Sequence, residues 1–235
     1  MRYLPADDFT TELKVLHPRE RGLEYYAEHH GDSFFIIANE NAQNFKLLRA
    51  PVSAPGKENW VEVIPHRADT LIENVSAFRN FLVLQERRGG LKQLRISAPD
   101  GVSNVRYVEF PEPAYTLYAE KNPEFNAQTF RFEYTSLVTP LSVIDYHVES
   151  GKWEVVKEQE IPSGYDPSQY ATERLMAPAR DGVRPRPVPG HPTATTAGNQ
   201  VFLADPAGIT NALANADGSL LPHFGYQRGL PSPWN

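Results

Sequence analysis

The sequence predicts an all-β chain assembled from one repeated unit of four strands, and three observations carry that expectation. Apolar alternation returns at a fixed interval. Asp32-Ser33-Phe34-Phe35-Ile36-Ile37, Arg79-Asn80-Phe81-Leu82-Val83-Leu84 and Gln128-Thr129-Phe130-Arg131-Phe132-Glu133 fall into register, with Phe34, Phe81 and Phe130 spaced by 47 and 49 residues. Each copy is preceded by one strand-like run (22–28, 71–78, 115–120) and followed by two (45–50 and 60–65; 91–96 and 105–111; 141–148 and 153–162). No window there longer than about ten residues keeps apolar positions at i, i+3, i+4 and i+7, so no helix competes. A period in the forties with four short strands per unit is what a β-propeller blade requires. The expected fold is an incomplete β-propeller of about three four-stranded antiparallel blades with a largely disordered C-terminal tail.

Taken in order, residues 1–21 are polar and proline-punctuated, and 12–16 alternates like the last strand of a preceding blade. The blades are 22–66, 67–112 and 113–163. Turn chemistry falls where hairpins need it, at His30-Gly31-Asp32, Arg88-Gly89-Gly90, Pro99-Asp100-Gly101 and Glu149-Ser150-Gly151-Lys152. Residues 164–183 form a connector. The segment 184–235 opens with Arg-Pro-Arg-Pro-Val-Pro-Gly-His-Pro and continues rich in Ala, Gly, Thr, Asn and Pro. It holds too little apolar surface to offset the entropy of ordering it. One short helix over 206–214 is conceivable there, capped by Asp205 with Pro206 at its first position.

Composition narrows the function. In 235 residues, 40% hydrophobic content is enough for a core. The net charge of -6 leaves no excess of Lys and Arg for phosphates, which argues against a nucleic-acid partner. The longest apolar run, Phe34 to Ala38, is far below the roughly 20 residues a membrane helix needs, and the start lacks the apolar stretch of a secretory signal. Cysteine is absent, which excludes disulfides, a thiol nucleophile and thiolate metal sites. The expected location is the cytoplasm, with no cofactor and no metal.

The residues that could carry chemistry read as structure. A serine hydrolase needs its nucleophile on a strained turn of Gly-x-Ser-x-Gly pattern beside an oxyanion hole. Neither Gly31-Asp32-Ser33 nor Gly101-Val102-Ser103 completes that pattern. His29 and His30 are adjacent, and neighbours in a strand point to opposite faces, so they are poorly placed to share one ion. Arg87-Arg88-Gly89-Gly90 is a turn with solvated arginines rather than an RNA-binding tract. Asp7, Asp8, Glu158 and Glu160 lie on polar faces. Tyr25, Tyr26, Tyr115, Tyr118, Phe130, Phe132 and Tyr134 are better read as blade-packing core than as a stacking platform.

Several stretches carry a family likeness: Arg2-Tyr3-Leu4-Pro5-Ala6-Asp7, Pro18-Arg19-Glu20-Arg21-Gly22-Leu23-Glu24-Tyr25, Ile64-Pro65-His66-Arg67, the run from Arg131 to Pro140, and Tyr170-Ala171-Thr172-Glu173-Arg174 followed by Ala179-Arg180-Asp181-Gly182. Through about Val183 the chain resembles the later propeller blades of oligopeptidase B, in the prolyl oligopeptidase family of serine peptidases. That resemblance implies a seven-bladed propeller acting as a lid over an α/β-hydrolase domain that holds the Ser, Asp and His and cuts short peptides after Arg or Lys. It also implies that Arg131, Tyr134, Thr135 and Ser136 face the central channel or the hydrolase domain, and that Tyr170, Glu173 and Arg174 mark the hinge. An ion pair and strand cap is an equally good reading of the last three.

In such relatives Asp-Gly leads into an apolar strand, whereas here Asp181-Gly182-Val183 runs into Arg184-Pro185-Arg186-Pro187. A shifted reading frame or aberrant gene end is the expected cause, and the chain alone is expected to be inert as a peptidase. Two functions follow: a substrate-gating propeller fragment whose partners are the hydrolase polypeptide and short basic peptides, or a non-catalytic protein-binding or scaffold module. Three blades form an open arc, so both end faces are expected to expose apolar surface and to promote low stability or self-association.

Overall fold

The structure, a computed structural model, describes residues 1–5, 10–162, 164–176 and 199–204. Strand β1 (Arg2–Tyr3) pairs antiparallel with β2 (Lys14–Val15). Three four-stranded antiparallel sheets follow. Blade one is β3 (Tyr25–His30), β4 (Ser33–Ala38), β5 (Lys46–Pro51) and β6 (Val61–Ile64). Blade two is β7 (Thr70–Ala77), β8 (Leu82–Arg88), β9 (Leu91–Ser97) and β10 (Arg106–Tyr107). Blade three is β11 (Tyr115–Ala119), β12 (Thr129–Ser136), β13 (Ser142–His147) and β14 (Lys152–Glu158). Strands β15 (Ala171–Met176) and β16 (Asn199–Ala204) form a final antiparallel pair. Among the described residues there is no α-helix, only two 3₁₀ turns at Lys57–Asn59 and Pro167–Gln169.

The sheets pair in chain order because each turn suits a hairpin. Arg88 and Leu91 are directly opposed, and Gly89 and Gly90 between them have φ of 56° and 85°, the two left-handed residues that a type I′ loop requires. Several boundaries differ from the expected ones, two of them for a clear physical reason. Arg79 and Asn80 form the turn into β8 rather than part of it, since the Phe78 N–H donates to the Phe81 carbonyl at 2.9 Å. The closing strand of blade two shrinks to Arg106–Tyr107, and its continuation runs into Pro111-Glu112-Pro113, where proline supplies no ladder donor. Strand β16 lies inside the segment expected to be disordered. The rest of that segment, with the helix expected over 206–214, lies outside the described residues.

Alternation within each second strand stacks the blades. Phe35, Ile37, Leu47 and Ile64 of blade one pack against Ile72, Val75, Leu82 and Leu84 of blade two. The opposite side of blade two, with Phe78, Phe81, Val83, Leu94 and Ile96, packs against Leu117, Phe130, Phe132, Tyr134 and Ile144 of blade three. Full burial of one such side chain contributes about 1.5–3 kcal/mol. An isolated small sheet is marginal in water, so these interfaces hold the arc together.

The two ends of the arc differ in how much apolar surface they present. On blade one, Phe34, Ile36 and Ala38 are covered by Leu16, Tyr3, Leu23 and Trp60. On blade three, the alternation that turns Phe130 and Phe132 inward turns Arg131, Glu133 and Thr135 outward, and Arg131 is held by Asp145 through two bonds of 2.7 Å. Tyr118 is exposed beside these polar residues, and Leu141, Val155 and Val156 are exposed on the same blade.

Candidate interdomain rim

In every blade the first strand starts, the second ends and the third starts at the same edge of the arc. Tyr25 and Ala38 meet there in blade one, Thr70 and Arg88 in blade two, Tyr115 and Ser136 in blade three. The linkers between blades cross this rim, and so does the chain that leaves blade three. The Tyr165 hydroxyl donates to the Val138 carbonyl, and the Arg174 guanidinium reaches back to the Gly89 carbonyl in the hairpin of blade two. A cleft of about 280 Å³ lies beside the first contact, lined by Val138, Thr139, Pro140, Ile161, Tyr165 and Pro167 among others.

Glu112 is the centre of the rim. Prolines flank it in the linker between blades two and three, and the loop after β12 folds over its carboxylate. Tyr134 and Thr139 donate their hydroxyls to it, and Ser136 donates at 3.0 Å. The Ser136 oxygen in turn accepts the Val138 and Thr139 N–H groups at 2.9 and 2.7 Å. A charged acceptor bonded to several donors is worth more than the same bonds between neutral groups, and it orders the loop that supplies them. Burial, and then the Glu112 carboxylate, push the Tyr134 hydroxyl well above the usual phenol range. Burial pushes Tyr115 up to about 12, with the nearby Arg174 guanidinium acting the other way. Tyr165 is raised by burial and then by Tyr170, Glu112 and Asp166.

The residues singled out from sequence divide between two places. Tyr134 and Ser136 converge on Glu112, while Thr135 donates to the Thr139 carbonyl at 3.1 Å. Arg131 lies five residues away along β12, a separation of roughly 16 Å at strand spacing, on the outer face with Asp145. Tyr170 stacks on Tyr165 with ring centroids 5.5 Å apart. Arg174 bonds Gly89, and the backbone of Glu173 is opposite Phe202 in the β15–β16 ladder. Glu112, Thr139 and Tyr165 were not legible from sequence, because Pro-Glu-Pro and a lone Tyr carry no signal of what folds onto them.

The other candidates are structural. His29 packs its ring on Phe34, and His30 packs on Phe35 and Phe125, so the pair diverges to opposite faces. Among the described residues no group of three or more His, Cys, Asp or Glu could hold a metal ion. Phe130, Phe132 and Tyr134 are buried core, whereas Tyr26 and Tyr118 are more than half exposed.

The family of the prolyl oligopeptidase N-terminal β-propeller domain matches residues 1–159. Dipeptidyl aminopeptidase BI of Pseudoxanthomonas mexicana is 40% identical over 175 residues, covering 74% of this chain and 24% of that protein. Uncharacterized peptidase y4qF of Sinorhizobium fredii is 29% identical over 260 residues, covering 99% of this chain and 34% of its own length. That alignment runs beyond Val183, into sequence expected to be unrelated to the family. Oligopeptidase B from Trypanosoma brucei, in a closed form with covalently bound antipain, superposes with a TM-score of 0.66 at 31% identity, over 74% of this chain and 26% of that one. The chain therefore spans about a quarter to a third of the length of these relatives. Its three blades are part of a propeller of that kind, and the chain belongs to the prolyl oligopeptidase family.

Proposed function

We propose that these blades form part of the substrate-gating propeller of an oligopeptidase B-type serine endopeptidase acting in the cytoplasm on short peptides with Arg or Lys. The observation that carries the reading is the rim: the chain beyond blade three is fastened to it at Val138 and at Gly89, so whatever follows in a whole enzyme is held over that edge of the arc. In this role Tyr134, Thr135 and Ser136 shape the edge that meets the peptidase domain, and Tyr170, Glu173 and Arg174 form the hinge. Arg131 sits on the far part of blade three and has no part in the rim. The chain supplies no bond-breaking residue in this reading; it excludes large substrates and holds the peptidase domain in place.

The test is reconstitution. The full chain is mixed with a separately purified hydrolase-domain polypeptide of a dipeptidyl aminopeptidase BI-like relative, and cleavage of fluorogenic Arg, Lys and Pro substrates is followed. The expected result is no turnover by this chain alone, and association with the hydrolase polypeptide that restores Arg and Lys cleavage while leaving folded proteins uncut. Absence of both association and restored cleavage overturns the reading; restoration confined to Pro substrates overturns the assigned specificity.

A further inference from the structure

The hairpin between β8 and β9 stands on the rim, and its arginines are not the solvated pair expected from Arg87-Arg88-Gly89-Gly90. The Arg87 side chain is only 24% exposed; its Nε donates to Glu73 Oε1 at 2.6 Å and its Nη1 to the Gly90 carbonyl at 3.3 Å. Arg88 points to the other face of the sheet and pairs with Asp69 at 3.0 Å. Lys92, directly opposite Arg87 in the ladder, is 15% exposed, and its ammonium stands 3.9 Å from the remaining Glu73 oxygen. Arg174 reaches the same hairpin from β15 and bonds the neutral Gly89 carbonyl.

Arg87, Lys92 and Arg174 therefore gather around one carboxylate. Among the described residues no other carboxylate pairs with them, Glu133 opposite Tyr118 in the β11–β12 ladder included. In a chain of net charge -6 this reverses the arrangement at Lys57, which is held by both Glu20 and Glu40. A cation withdrawn from water is costly unless it is paired. Burial holds the Lys92 ammonium below its usual range, Glu73 pulls the other way, and Arg87 adds to the depression. The open side of the cluster is walled by Tyr118, whose ring centroid lies 4.1 Å from the ammonium and whose side is more than half exposed. Glu73 and Tyr118 belong to β7 and β11, the first strands of their blades, which in a propeller lie nearest the central channel.

What this cluster lacks is a second anion. A carboxylate accepts several N–H donors at once, and such charge-assisted bonds are the strong ones. A short peptide brings one at its C-terminus, whereas an internal segment of a folded protein brings none. The Arg or Lys side chain of the same peptide is repelled by three cations, so the peptide is oriented with its basic residue away from the hairpin.

We propose that Lys92, Arg87 and Arg174, walled by Tyr118, bind the C-terminal carboxylate of peptide substrates at the rim. The source of the peptide rests on the gating reading above, but binding at the cluster is measured without any peptidase domain.

The experiment titrates the full chain with acetyl-Ala-Arg-Ala-Ala as the free acid, with its C-terminal amide and with amidated acetyl-Ala-Arg-Ala-Glu, following the amide resonances of Gly89, Gly90 and Lys92. The free acid is expected to bind about tenfold more tightly than its amide. Lys92→Met is expected to remove that preference, and Glu73→Gln, which deletes the competing carboxylate, to increase it about two- to fivefold. Arg174→Gln lies outside the three blades and is expected to weaken binding of the acid about threefold, so it serves even where Lys92→Met fails to fold. Equal binding of acid and amide, or no shift up to about 10 mM peptide, overturns the site. A preference that survives both Lys92→Met and Arg174→Gln also overturns it. Binding of the amidated Glu peptide as tightly as the free acid overturns the terminal assignment in favour of an acidic side chain. Restored cleavage in the reconstitution with equal binding of acid and amide leaves the gating reading standing and this one overturned; preferential binding of the acid without restored cleavage does the reverse.

Discussion

Glu86 and Arg67 form an ion pair of 2.5 Å at the junction of blades one and two, and the Glu86 side chain is completely buried while Arg67 keeps partial contact with water. The second carboxylate oxygen accepts the Tyr107 hydroxyl at 3.1 Å. Arg95, also buried, donates to the Gly101 carbonyl at 3.0 Å and adds a second positive charge near the same group. Glu86 thus enters an apolar blade interface only because cations from the linker and from β9 accompany it.

Removing one partner is expected to cost far more than removing both. Arg67→Ala leaves a buried carboxylate with reduced compensation, a loss of about 3–5 kcal/mol in comparable pairs. Arg67→Met with Glu86→Leu replaces the pair by apolar volume and is expected to cost much less. Urea melts of the three chains check this, and a loss under about 1 kcal/mol for Arg67→Ala would show that Glu86 does not depend on that cation.

Gly101 tests how tightly blade two seats on blade one. It has φ of 82°, and a Cβ there would lie 2.7 Å from Val63 Cγ1 across the interface. Gly31, in the β3–β4 hairpin, has φ of 57° with nothing within 4 Å of a Cβ. Gly31→Ala therefore carries the left-handed penalty alone, about 1–2 kcal/mol. Gly101→Ala adds overpacking of about 1–3 kcal/mol. Equal losses in thermal melts of the two variants would show that the interface yields to the extra methyl.

The blades were legible because their signal is repetitive and local. Period-2 alternation about Phe34, Phe81 and Phe130 follows from which side of a strand is buried, and Gly89-Gly90 follows from turn geometry. The polar end face of blade three was present in the same alternation, in Arg131, Glu133 and Thr135, but assigning it required knowing which side lacks a neighbour. The rim was partly legible through Tyr134 and Ser136. Glu112 was not, since its importance comes from hydroxyls 22 to 27 residues away, and separations of that kind follow no period. The Arg174 contact with Gly89, 85 residues apart, belongs to the same class.

Glu112 is expected to hold the loop after β12 and, through Val138, the segment carrying Tyr165. Tyr134→Phe removes one donor to a charged acceptor and is expected to cost about 1.5–3 kcal/mol, toward the lower figure because water reaches the half-buried carboxylate. Glu112→Ala orphans three hydroxyls together and is expected to cost more. It should also speed amide hydrogen exchange at Val138 and Thr139, whose N–H groups depend on the Ser136 hydroxyl staying in place. Unchanged exchange at those amides in Glu112→Ala would separate the loop's order from the carboxylate.

The buried tyrosines set the alkaline limit of the fold. Tyr115 is pushed up to about 12 by burial, and its hydroxyl donates to the Lys92 carbonyl at 2.8 Å; Tyr134 lies higher still, through burial and the Glu112 charge. Above about pH 10 an unfolded chain ionises both phenols while the folded chain keeps their protons. The folded state then binds more protons than the unfolded one, and stability falls as pH rises. Their contribution is complete below pH 10, declines from there through pH 12 and continues to fall beyond it. Lys92 acts in the opposite sense at lower pH, because burial depresses its folded-state value below 10.5 and so favours the fold as the solution approaches that point. Melting temperature is therefore expected to change little up to about pH 10 and to drop steeply above it, with phenolate absorbance from these two residues delayed in the folded chain relative to the unfolded one. Tyr115→Phe and Tyr134→Phe should each flatten the drop while lowering stability at neutral pH. A drop of unchanged steepness in both variants would place the alkaline transition on other groups.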